Sequence, residues 1–333
     1  METASSEADV KAIRAHQFGD PSVLKLEDVP DPVAGAGQVL IDVKAAGVNP
    51  YDTYIRSGQY ARLPPLPYTP GSDAGGIVES VGPDVHGFQR GDRVYIAGTA
   101  AGPTVGAYAQ KALCTPDQVH PLPKHLSFAQ GAAVNVPYVT AWRAVFDKGA
   151  ARPTEAILVH GASGGVGIPA VQMASAAGLT VFGTASTEKG RALARQHGAD
   201  EVFDHSTADY QKQILDKTGG RGVDLIIEML ANVNLVRDLE MIARHGRVVV
   251  VGSRGSIELN PRLVMAKEAI VTGLTMWATT PKELAAAHAA VAAGLQIGAL
   301  KPEIGQELPL GDAPRAHEAV MKSGAHGKIV LIP

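Results

Sequence analysis

A glycine-rich segment, LVHGASGGVGIPAVQMA (Leu158–Ala174), has the residue types of a nucleotide phosphate site. An apolar run of strand length precedes the glycines, and a helix-like run follows them. Glycines in such a turn allow a tight bend, a close approach of the backbone to pyrophosphate, and close helix–strand packing. The first helical turn also offers unbonded N–H groups to an anion. We therefore predict a dinucleotide site whose loop residues are Ala162, Ser163, Gly164, Gly165, Val166 and Gly167, with alanine where the usual fingerprint begins with glycine.

The next segment, LTVFGTASTEKGR, discriminates between the two nicotinamide cofactors. A site for NADH usually places an acidic residue at the end of this strand, where it binds the ribose hydroxyls. Here the strand ends near Ser186 without a carboxylate, and Glu188 comes late enough to open the next helix. Lys189 and Arg191 follow, so the pattern favours NADPH, and we count Ser186, Lys189 and Arg191 as cofactor contacts. The same two cations also suit a solvated helix face.

Composition and charge limit the function classes. The chain has 333 residues, of which 45% are hydrophobic and 19% charged, with a net charge of −3. This balance is typical of a globular protein and gives no reason to expect nucleic acid or a membrane surface as a partner. About eight residues at the start read as a frayed tail without signal-peptide features. The single cysteine, Cys114, excludes an intramolecular disulfide and favours a cytoplasmic location.

The elements that position these residues follow two patterns. Up to about residue 130, short β-type runs such as QVLIDVKAAGV and DRVYIAG alternate with glycine and proline, which predicts an antiparallel, barrel-like or sandwich-like domain. From about Val136, six apolar runs of strand length alternate with helical segments such as DYQKQILDK and LVRDLEMIARHG. This rhythm predicts a doubly wound parallel sheet. We expect the tail, with a helix at PKELAAAHAAVAAGLQ and a strand at GKIVLIP, to pack on the first domain.

Together these segments resemble the zeta-crystallin-type quinone oxidoreductases, the zinc-free branch of the medium-chain dehydrogenase/reductase superfamily. Beyond the glycine-rich segment, the resemblance covers GVNPYDTYIRSGQY (Gly47–Tyr60), LPYTPGSDAGGIVESVG (Leu66–Gly82), GDRV, IEMLANVN, VVVGSRGSIELNP and the closing GKIVL. It implies an α/β fold with a GroES-like β-rich catalytic domain (1–133 and 276–333), a doubly wound Rossmann NADPH-binding domain (134–275) and a cleft between them. It also implies a homodimer or homotetramer.

The resemblance locates the positions at which zinc-dependent relatives hold their catalytic metal. The corresponding segments, GVNPYD and TPGSDAGG, place Asn49 and Ser72 at the cysteine and histidine positions. The cysteine-rich structural zinc loop is absent, and we expect none of the eleven histidines to lie in a ligand-like cluster, hence no metal site. Without a Lewis acid a simple ketone is a difficult substrate, whereas a quinone or conjugated enone delocalises the charge of the incoming hydride.

The resemblance also assigns individual residues to the site. Asn49 and Tyr54 lie beside the nicotinamide and orient a quinone oxygen, and Tyr60 lines the same pocket. Further cofactor contacts are implied for Thr140, His205, Asn232, Gly252, Ser253, Arg254 and Lys328. The alternatives are a loop-capping role for Asn49, a packed Tyr54, and solvent-facing side chains for His205 and Arg254.

These predictions lead to an NADPH-dependent quinone reductase that acts on a small-molecule quinone or conjugated carbonyl. The nearest alternative is an NADPH-dependent reductase of alkenals or enoyl thioesters, because it needs the same hydride geometry. A non-catalytic, crystallin-like NADPH-binding protein and a zinc alcohol dehydrogenase are further alternatives. Measured turnover would distinguish a quinone reductase from the non-catalytic protein. Zinc content would distinguish it from the zinc alcohol dehydrogenase.

Overall fold

The structure, a computed structural model, describes residues 9–98, 105–324 and 326–333. The predicted N-terminal tail lies outside these residues. The chain divides into two compact units. Unit 1 comprises the residues up to Val136 together with Ile304–Lys322 and Lys328–Pro333, and unit 2 comprises Pro137–Glu303 and Ser323–Gly327. Within the described part of the chain, no helix is long and apolar enough to cross a membrane.

Strands and helices are numbered in chain order. The strands are β1 (Asp9–Ala15), β2 (Leu24–Pro30), β3 (Val39–Val48), β4 (Asp73–Val81), β5 (Arg93–Ala97), β6 (Lys111–Cys114), β7 (Val119–Pro121), β8 (Ala156–Val159), β9 (Thr180–Thr184), β10 (Glu201–Phe203), β11 (Val223–Glu228), β12 (Ile242–Val250), β13 (Ile270–Gly273), β14 (Ile304–Pro309) and β15 (Lys328–Ile332). The helices are α1 (Pro50–Arg56), α2 (Phe128–Gly131), α3 (Thr140–Trp142), α4 (Gly167–Ala176), α5 (Glu188–Gln196), α6 (Tyr210–Lys217), α7 (Ala231–Met241), α8 (Arg262–Lys267), α9 (Pro281–Gln296) and α10 (Ala313–Ala319).

Unit 1 is built on a mostly antiparallel sheet in the order β14-β15-β3-β4-β5-β7, with β6 paired to β3. The predicted β-rich, GroES-like domain is confirmed. In the sheet, Gly47 of β3 pairs with Asp73 of β4 on one side and with Val330 of β15 on the other. The ends of three neighbouring strands therefore bring residues near positions 49, 73 and 328 together. Cys114 is buried in this unit, and burial raises the pKa of its thiol to about 12, which keeps it protonated.

Unit 2 contains a six-stranded parallel sheet in the order β10-β9-β8-β11-β12-β13. The six strands are those predicted from the apolar runs, so the doubly wound Rossmann fold is confirmed. Strands β8 and β11 are neighbours at the centre, and their apolar residues are fully buried because helices cover both faces of such a sheet. The carboxyl ends of β8, β11 and β12 therefore open at one edge of the sheet.

Two boundaries differ from the predictions. The segment LVRDLEMIARHG was expected to be helical throughout, yet α7 ends at Met241 and β12 begins at Ile242. Ile242 is fully buried and pairs with Val223, so sheet pairing decides its conformation. Residues 276–303 were expected in the catalytic domain but belong to unit 2. There the side chain of Gln172 bonds both the N–H and the C=O of Lys301, which ties this segment to α4.

Candidate active site

The loop between β8 and α4 makes its tight bend at Gly161, which has a φ of +58°. This left-handed conformation suits glycine because it has no Cβ. The loop is tied to the end of β9, since the N–H of Ala162 donates to the carbonyl of Thr184 at 2.9 Å and the N–H of Gly161 donates to its hydroxyl at 3.3 Å. The dinucleotide fingerprint places its tight bend at its first glycine, which aligns with Ala162. In this loop the bend lies one residue earlier, at Gly161, so an alanine at position 162 does not disrupt it.

Close packing around this loop requires two further glycines. A Cβ on Gly183 of β9 would lie 2.7 Å from the Cβ of Ala162, so the missing side chain at 183 makes room for the alanine. A Cβ on Gly167 would lie 2.1 Å from the carbonyl oxygen of Gly161. Helix α4 therefore starts directly against the loop, with its first N–H groups at the predicted phosphate position.

A second segment of unit 2 lies against the same loop. The N–H of Gly327 donates to the carbonyl of Ser163 at 2.8 Å, and the imidazole of His326 lies 3.0 Å from the hydroxyl of Thr187, the N-cap of α5. Burial and the nearby Lys189 cation lower the pKa of His326. His326 was missed from the sequence because it lies 139 residues from Thr187.

The two cations predicted to bind the 2′-phosphate have different surroundings. Arg191 is half-buried and is bonded to Asp204 at 2.6 Å and to Glu188 at 2.9 Å. Lys189 is exposed and has no carboxylate partner in the part of the chain that the structure describes. Arg191 is therefore already neutralised, and Lys189 is the cation available to a phosphate beside Ser186.

The polar residues predicted after β11 and β12 are brought together. The side-chain oxygen of Asn232 accepts from the N–H of Arg254 at 2.8 Å and from the hydroxyl of Ser253 at 3.4 Å. The carbonyl of Gly252 accepts from the N–H of Ala231 at 2.9 Å. These residues form one polar corner at the edge of the sheet where a doubly wound fold binds its ligand.

Two other predicted cofactor contacts stand apart from this corner. Thr140 is buried in α3, which lies between two π-helical segments, Asn135–Val139 and Arg143–Lys148. π-Helical turns are rare and frequently occur at functional sites. His205 follows β10 and is exposed.

A buried cluster lies directly beneath the glycine loop. His160, the residue before Gly161, places Nε2 2.9 Å from Asp238 and 3.5 Å from Glu228, and its Nδ1 lies 3.2 Å from the hydroxyl of Thr184. Each of the three titratable side chains is more than nine-tenths buried. The expectation that no histidine lies in a ligand-like cluster is therefore wrong, because the fold joins groups from β8, β11 and α7 that are far apart in sequence.

Burial sets the protonation of this cluster. It raises the pKa of Glu228 and of Asp238 to about 7, and it lowers the pKa of His160. The two carboxyls therefore retain protons up to neutral pH, and a proton between them lets one carboxyl donate to the other. Because His160 also contacts Thr184, the cluster supports the β9 end to which the phosphate loop is tied.

In unit 1, Asn49 lies in a buried polar group with Lys328 and Asp73. The Nζ atom of Lys328 donates to the side-chain oxygen of Asn49 and, at 3.2 Å, to Asp73. The amide nitrogen of Asn49 donates to the same carboxylate at 3.0 Å. Asp73 is fully buried, and its other oxygen accepts from the side chain of Asn135 at 2.9 Å and from the N–H of Val136 at 3.2 Å.

Lys328 was predicted as a cofactor contact, but its ammonium is held within unit 1 by Asn49 and Asp73. Asp73 was not predicted, although it adjoins Ser72 at a position that the resemblance had already marked. A second buried carboxyl, Asp52, accepts from the N–H of Asn49 at 2.8 Å and from the Tyr108 hydroxyl at 3.2 Å. Burial, with a smaller contribution from the charge of Asp73, raises the pKa of Asp52 to about 7.

Three tyrosines follow Asn49 in the same sequence segment. Tyr54 lies on α1 and is partly exposed, and the Tyr60 ring contacts Tyr51 with centroids 5.7 Å apart. Burial raises the pKa of Tyr51 well above its usual range, and its hydroxyl lies beside Ser72. Tyr51 was missed, although it stands two residues after Asn49 in the same motif. A neutral phenol in this position is a hydrogen-bond donor rather than an acid.

Family models match both parts of the chain. An alcohol dehydrogenase GroES-like domain matches residues 35–124, and a zinc-binding dehydrogenase model matches residues 165–293. The chain is also 48% identical over 331 residues to a quinone oxidoreductase of Homo sapiens, with 99% of each chain covered. It belongs to the quinone oxidoreductase family of the medium-chain dehydrogenase/reductase superfamily.

Solved structures agree with this family membership. An Escherichia coli quinone oxidoreductase complexed with NADPH is 31% identical, covers 97% of this chain and 100% of its own, and superposes with a TM-score of 0.85. A structure named an NAD-dependent alcohol dehydrogenase is 30% identical, covers 97% and 99%, and has a TM-score of 0.90. The fold alone does not separate these activities, so the residues of the site must do so.

Proposed function

We propose that this member of the quinone oxidoreductase family is an NADPH-dependent quinone reductase that works without a metal. Two observations, each made within one unit, carry the proposal: unit 2 contains the phosphate loop, and in unit 1 an amide occupies the metal-ligand position. Asn49 stands where zinc-dependent relatives have a cysteine, and its oxygen faces the ammonium of Lys328. A bound cation at that oxygen would meet the positive charge of the lysine.

The residues of unit 2 fit NADPH. The loop has the left-handed bend at Gly161 and the close approach at Gly167 that a pyrophosphate needs, and the polar corner at Asn232 and Arg254 lies at the ligand edge of the sheet. When bound, NADPH supplies the hydride. The chain's own part is to hold the diphosphate on the α4 N-terminus and to offer Lys189 to the 2′-phosphate.

A quinone suits this site better than a simple ketone. The described residues offer an amide donor on Asn49 and a phenol donor on Tyr51, and such groups bind an oxygen anion without acting as a strong acid. A quinone delocalises the charge that it gains, so hydrogen bonding and orientation suffice. A saturated carbonyl would require the stronger polarisation that zinc supplies.

The test compares acceptors with the purified, chelator-treated enzyme. NADPH oxidation is followed with an ortho-quinone and with a 2-alkenal at matched concentrations, and zinc content is measured on the same sample. We expect kcat/KM to be at least about tenfold higher for the quinone, because its π-system carries the incoming charge. A preference for the alkenal would identify an enone reductase, and stoichiometric zinc would contradict the metal-free proposal.

Lys189→Ala should weaken NADPH binding without affecting NADH binding. Because Lys189 has no carboxylate partner among the described residues, its loss should raise the Kd for NADPH by about tenfold, as expected for one phosphate contact. Arg191→Ala is the matched comparison, since Arg191 is already paired with Asp204 and Glu188. Fluorescence titration with both cofactors measures the effect. An equal loss for NADH would mean that Lys189 does not bind the 2′-phosphate.

We further propose that the chain forms a homo-oligomer. Support comes from β13, an edge strand of the unit 2 sheet, on which Ile270 and Val271 are exposed, and from the exposed Met265 nearby on α8. An exposed apolar edge strand is a ready template for pairing with a second copy. A monomeric mass by analytical ultracentrifugation at micromolar concentration would contradict this proposal.

We also propose a cytoplasmic location, supported by the single, buried and protonated Cys114.

A further inference from the structure

We propose that Lys328 is a positioning residue for quinone reduction, which fixes and polarises the Asn49 amide so that its second N–H binds the acceptor oxygen. The inference rests on the proposed function and goes beyond it by assigning a role in quinone reduction to a residue whose ammonium bonds Asn49 and Asp73. The observation that carries it is the arrangement of three buried polar side chains, Asn49, Asp73 and Lys328, around one another.

The two partners of Asn49 determine the orientation of its amide. Lys328 has only donors and therefore requires the oxygen, while the oxygens of Asp73 accept every hydrogen bond that reaches them and therefore require the nitrogen. A flipped amide would set its NH₂ against the ammonium and its oxygen against the carboxylate. Lys328 and Asp73 thus exclude the flipped state, and Asn49 is held in one orientation.

The amide nitrogen has two N–H groups, and Asp73 uses one of them at 3.0 Å. Among the residues that the structure describes, no second acceptor lies on this nitrogen. That N–H is therefore available to a ligand oxygen. Because the amide oxygen binds a full positive charge, electron density is drawn from the nitrogen and the remaining N–H becomes a stronger donor.

Burial makes this effect large. Lys328 is 4% exposed, Asn49 is 3% exposed and Asp73 is fully buried, so water does not screen the charge of the ammonium. In the overall reaction NADPH is oxidised to NADP⁺, and its two electrons pass to quinone. Reduction leaves a negative charge on an acceptor oxygen until a proton arrives from solvent. A donor aligned with that oxygen stabilises the transition state more than the neutral quinone.

The main test is Lys328→Met, measured with a series of quinones of different reduction potential. We expect kcat to fall by about 100-fold, the scale seen when one oxyanion donor is removed. The loss should be largest for the least electrophilic quinones, so the plot of log kcat against reduction potential becomes steeper. The Kd for NADPH, measured by fluorescence in the absence of quinone, should stay within about threefold of the wild-type value, because Lys328 acts on Asn49.

Three further variants keep the proposal open to contradiction. Lys328→Met/Asn49→Leu should be no slower than Asn49→Leu alone, since Lys328 acts through Asn49. The double variant Lys328→Met/Asp73→Asn removes both buried charges. It replaces Lys328→Met in the same measurements if that single variant does not fold. Lys111→Met is the matched control, because Lys111 pairs with Asp31 and Glu79 in the same unit without contacting Asn49, and its kcat should be unchanged.

Each outcome separates this inference from the proposed function. An unchanged slope with an equal loss for all quinones would show a merely structural role for Lys328. A Kd for NADPH raised more than tenfold with kcat unchanged would show that Lys328 serves the cofactor instead. Either result contradicts the inference while the wild-type enzyme still reduces quinones. Wild-type protein that reduces no quinone would contradict the proposed function itself.

Discussion

Gly167→Ala should reduce the affinity for NADPH by about 100-fold, or ~2.7 kcal/mol of binding free energy. The new Cβ would lie 2.1 Å from the carbonyl oxygen of Gly161 and 2.8 Å from the Cα of Ala162. Neither neighbour is a flexible side chain, so the start of α4 and the loop must move apart. The N–H groups at the helix terminus then no longer converge on the pyrophosphate. Fluorescence titration with NADPH measures the change.

The matched control for this variant is Gly311→Ala in unit 1. A Cβ at Gly311 meets only the Leu26 side chain, at an ordinary 3.5 Å, and its backbone is not left-handed. NADPH affinity should be unchanged in this control, and far-ultraviolet circular dichroism should show that both variants fold. Wild-type affinity in a folded Gly167→Ala protein would contradict the assignment of this loop as the diphosphate site.

Glu228→Gln should flatten the pH dependence of stability. Burial raises the pKa of Glu228 to about 7 in the folded state, above its value in the unfolded chain. The folded state therefore holds the proton more tightly, and this contribution to stability is present at low pH and is lost as pH rises through 7. Between about pH 4.5 and 7, one such group changes the free energy of unfolding by about 1.4 kcal/mol per pH unit. Glutamine does not titrate, so this part of the slope should disappear.

Urea unfolding followed by tryptophan fluorescence measures this slope for unit 2, which contains Glu228, because Trp142 and Trp277 both lie in that unit. Asp238 contributes in the same direction as Glu228, and His160 in the opposite direction because its pKa is lowered. The difference between variant and wild type removes these shared contributions to first order. Glu240→Gln, on the exposed side of α7, is the control and should keep the wild-type slope. A Glu228→Gln slope equal to that of wild type would show that the buried cluster does not hold the proton.

The elements of unit 2 were predictable because their signals are local. Each strand is a short apolar run next to a helical segment, and the order of such runs fixes a doubly wound sheet. The boundary of α7 was not predictable, since IARH has no helix-breaking residue and only pairing of Ile242 with Val223 makes it a strand. Helix α9 was recognised, but its place in unit 2 was not, and the residues that follow it are tied to α4 by hydrogen bonds between Gln172 and Lys301.

Parts of the candidate site whose residues are close together in sequence could be predicted, and parts whose residues are far apart could not. The phosphate loop lies within seven residues, so its chemistry was visible from Ala162 to Gly167. The bend at Gly161 was assigned one residue too late, because φ is not visible in a residue type. The partners of Asn49 could not be derived in the same way, since Lys328 follows it by 279 residues and only the pairing of β15 with β3 joins them.

Charge partners explain the remaining differences. Lys189 and Arg191 have the same sequence context, yet Asp204 at the end of β10 neutralises only Arg191. His160 was visible as the residue before the glycine loop, but its role depends on Glu228 and Asp238 from two other elements. In each case the side chain is visible in the sequence, whereas its protonation or pairing depends on the fold.

The most direct test of the central claim is a single-turnover measurement with chelator-treated enzyme. Enzyme saturated with NADPH is mixed with excess ortho-quinone, and the loss of NADPH absorbance is followed by stopped flow. Metal-free hydride transfer predicts that all enzyme-bound NADPH is oxidised, with a rate constant that saturates with quinone concentration and does not change on adding zinc. Bound NADPH that stays reduced, or oxidation that appears only after zinc is added, would contradict it.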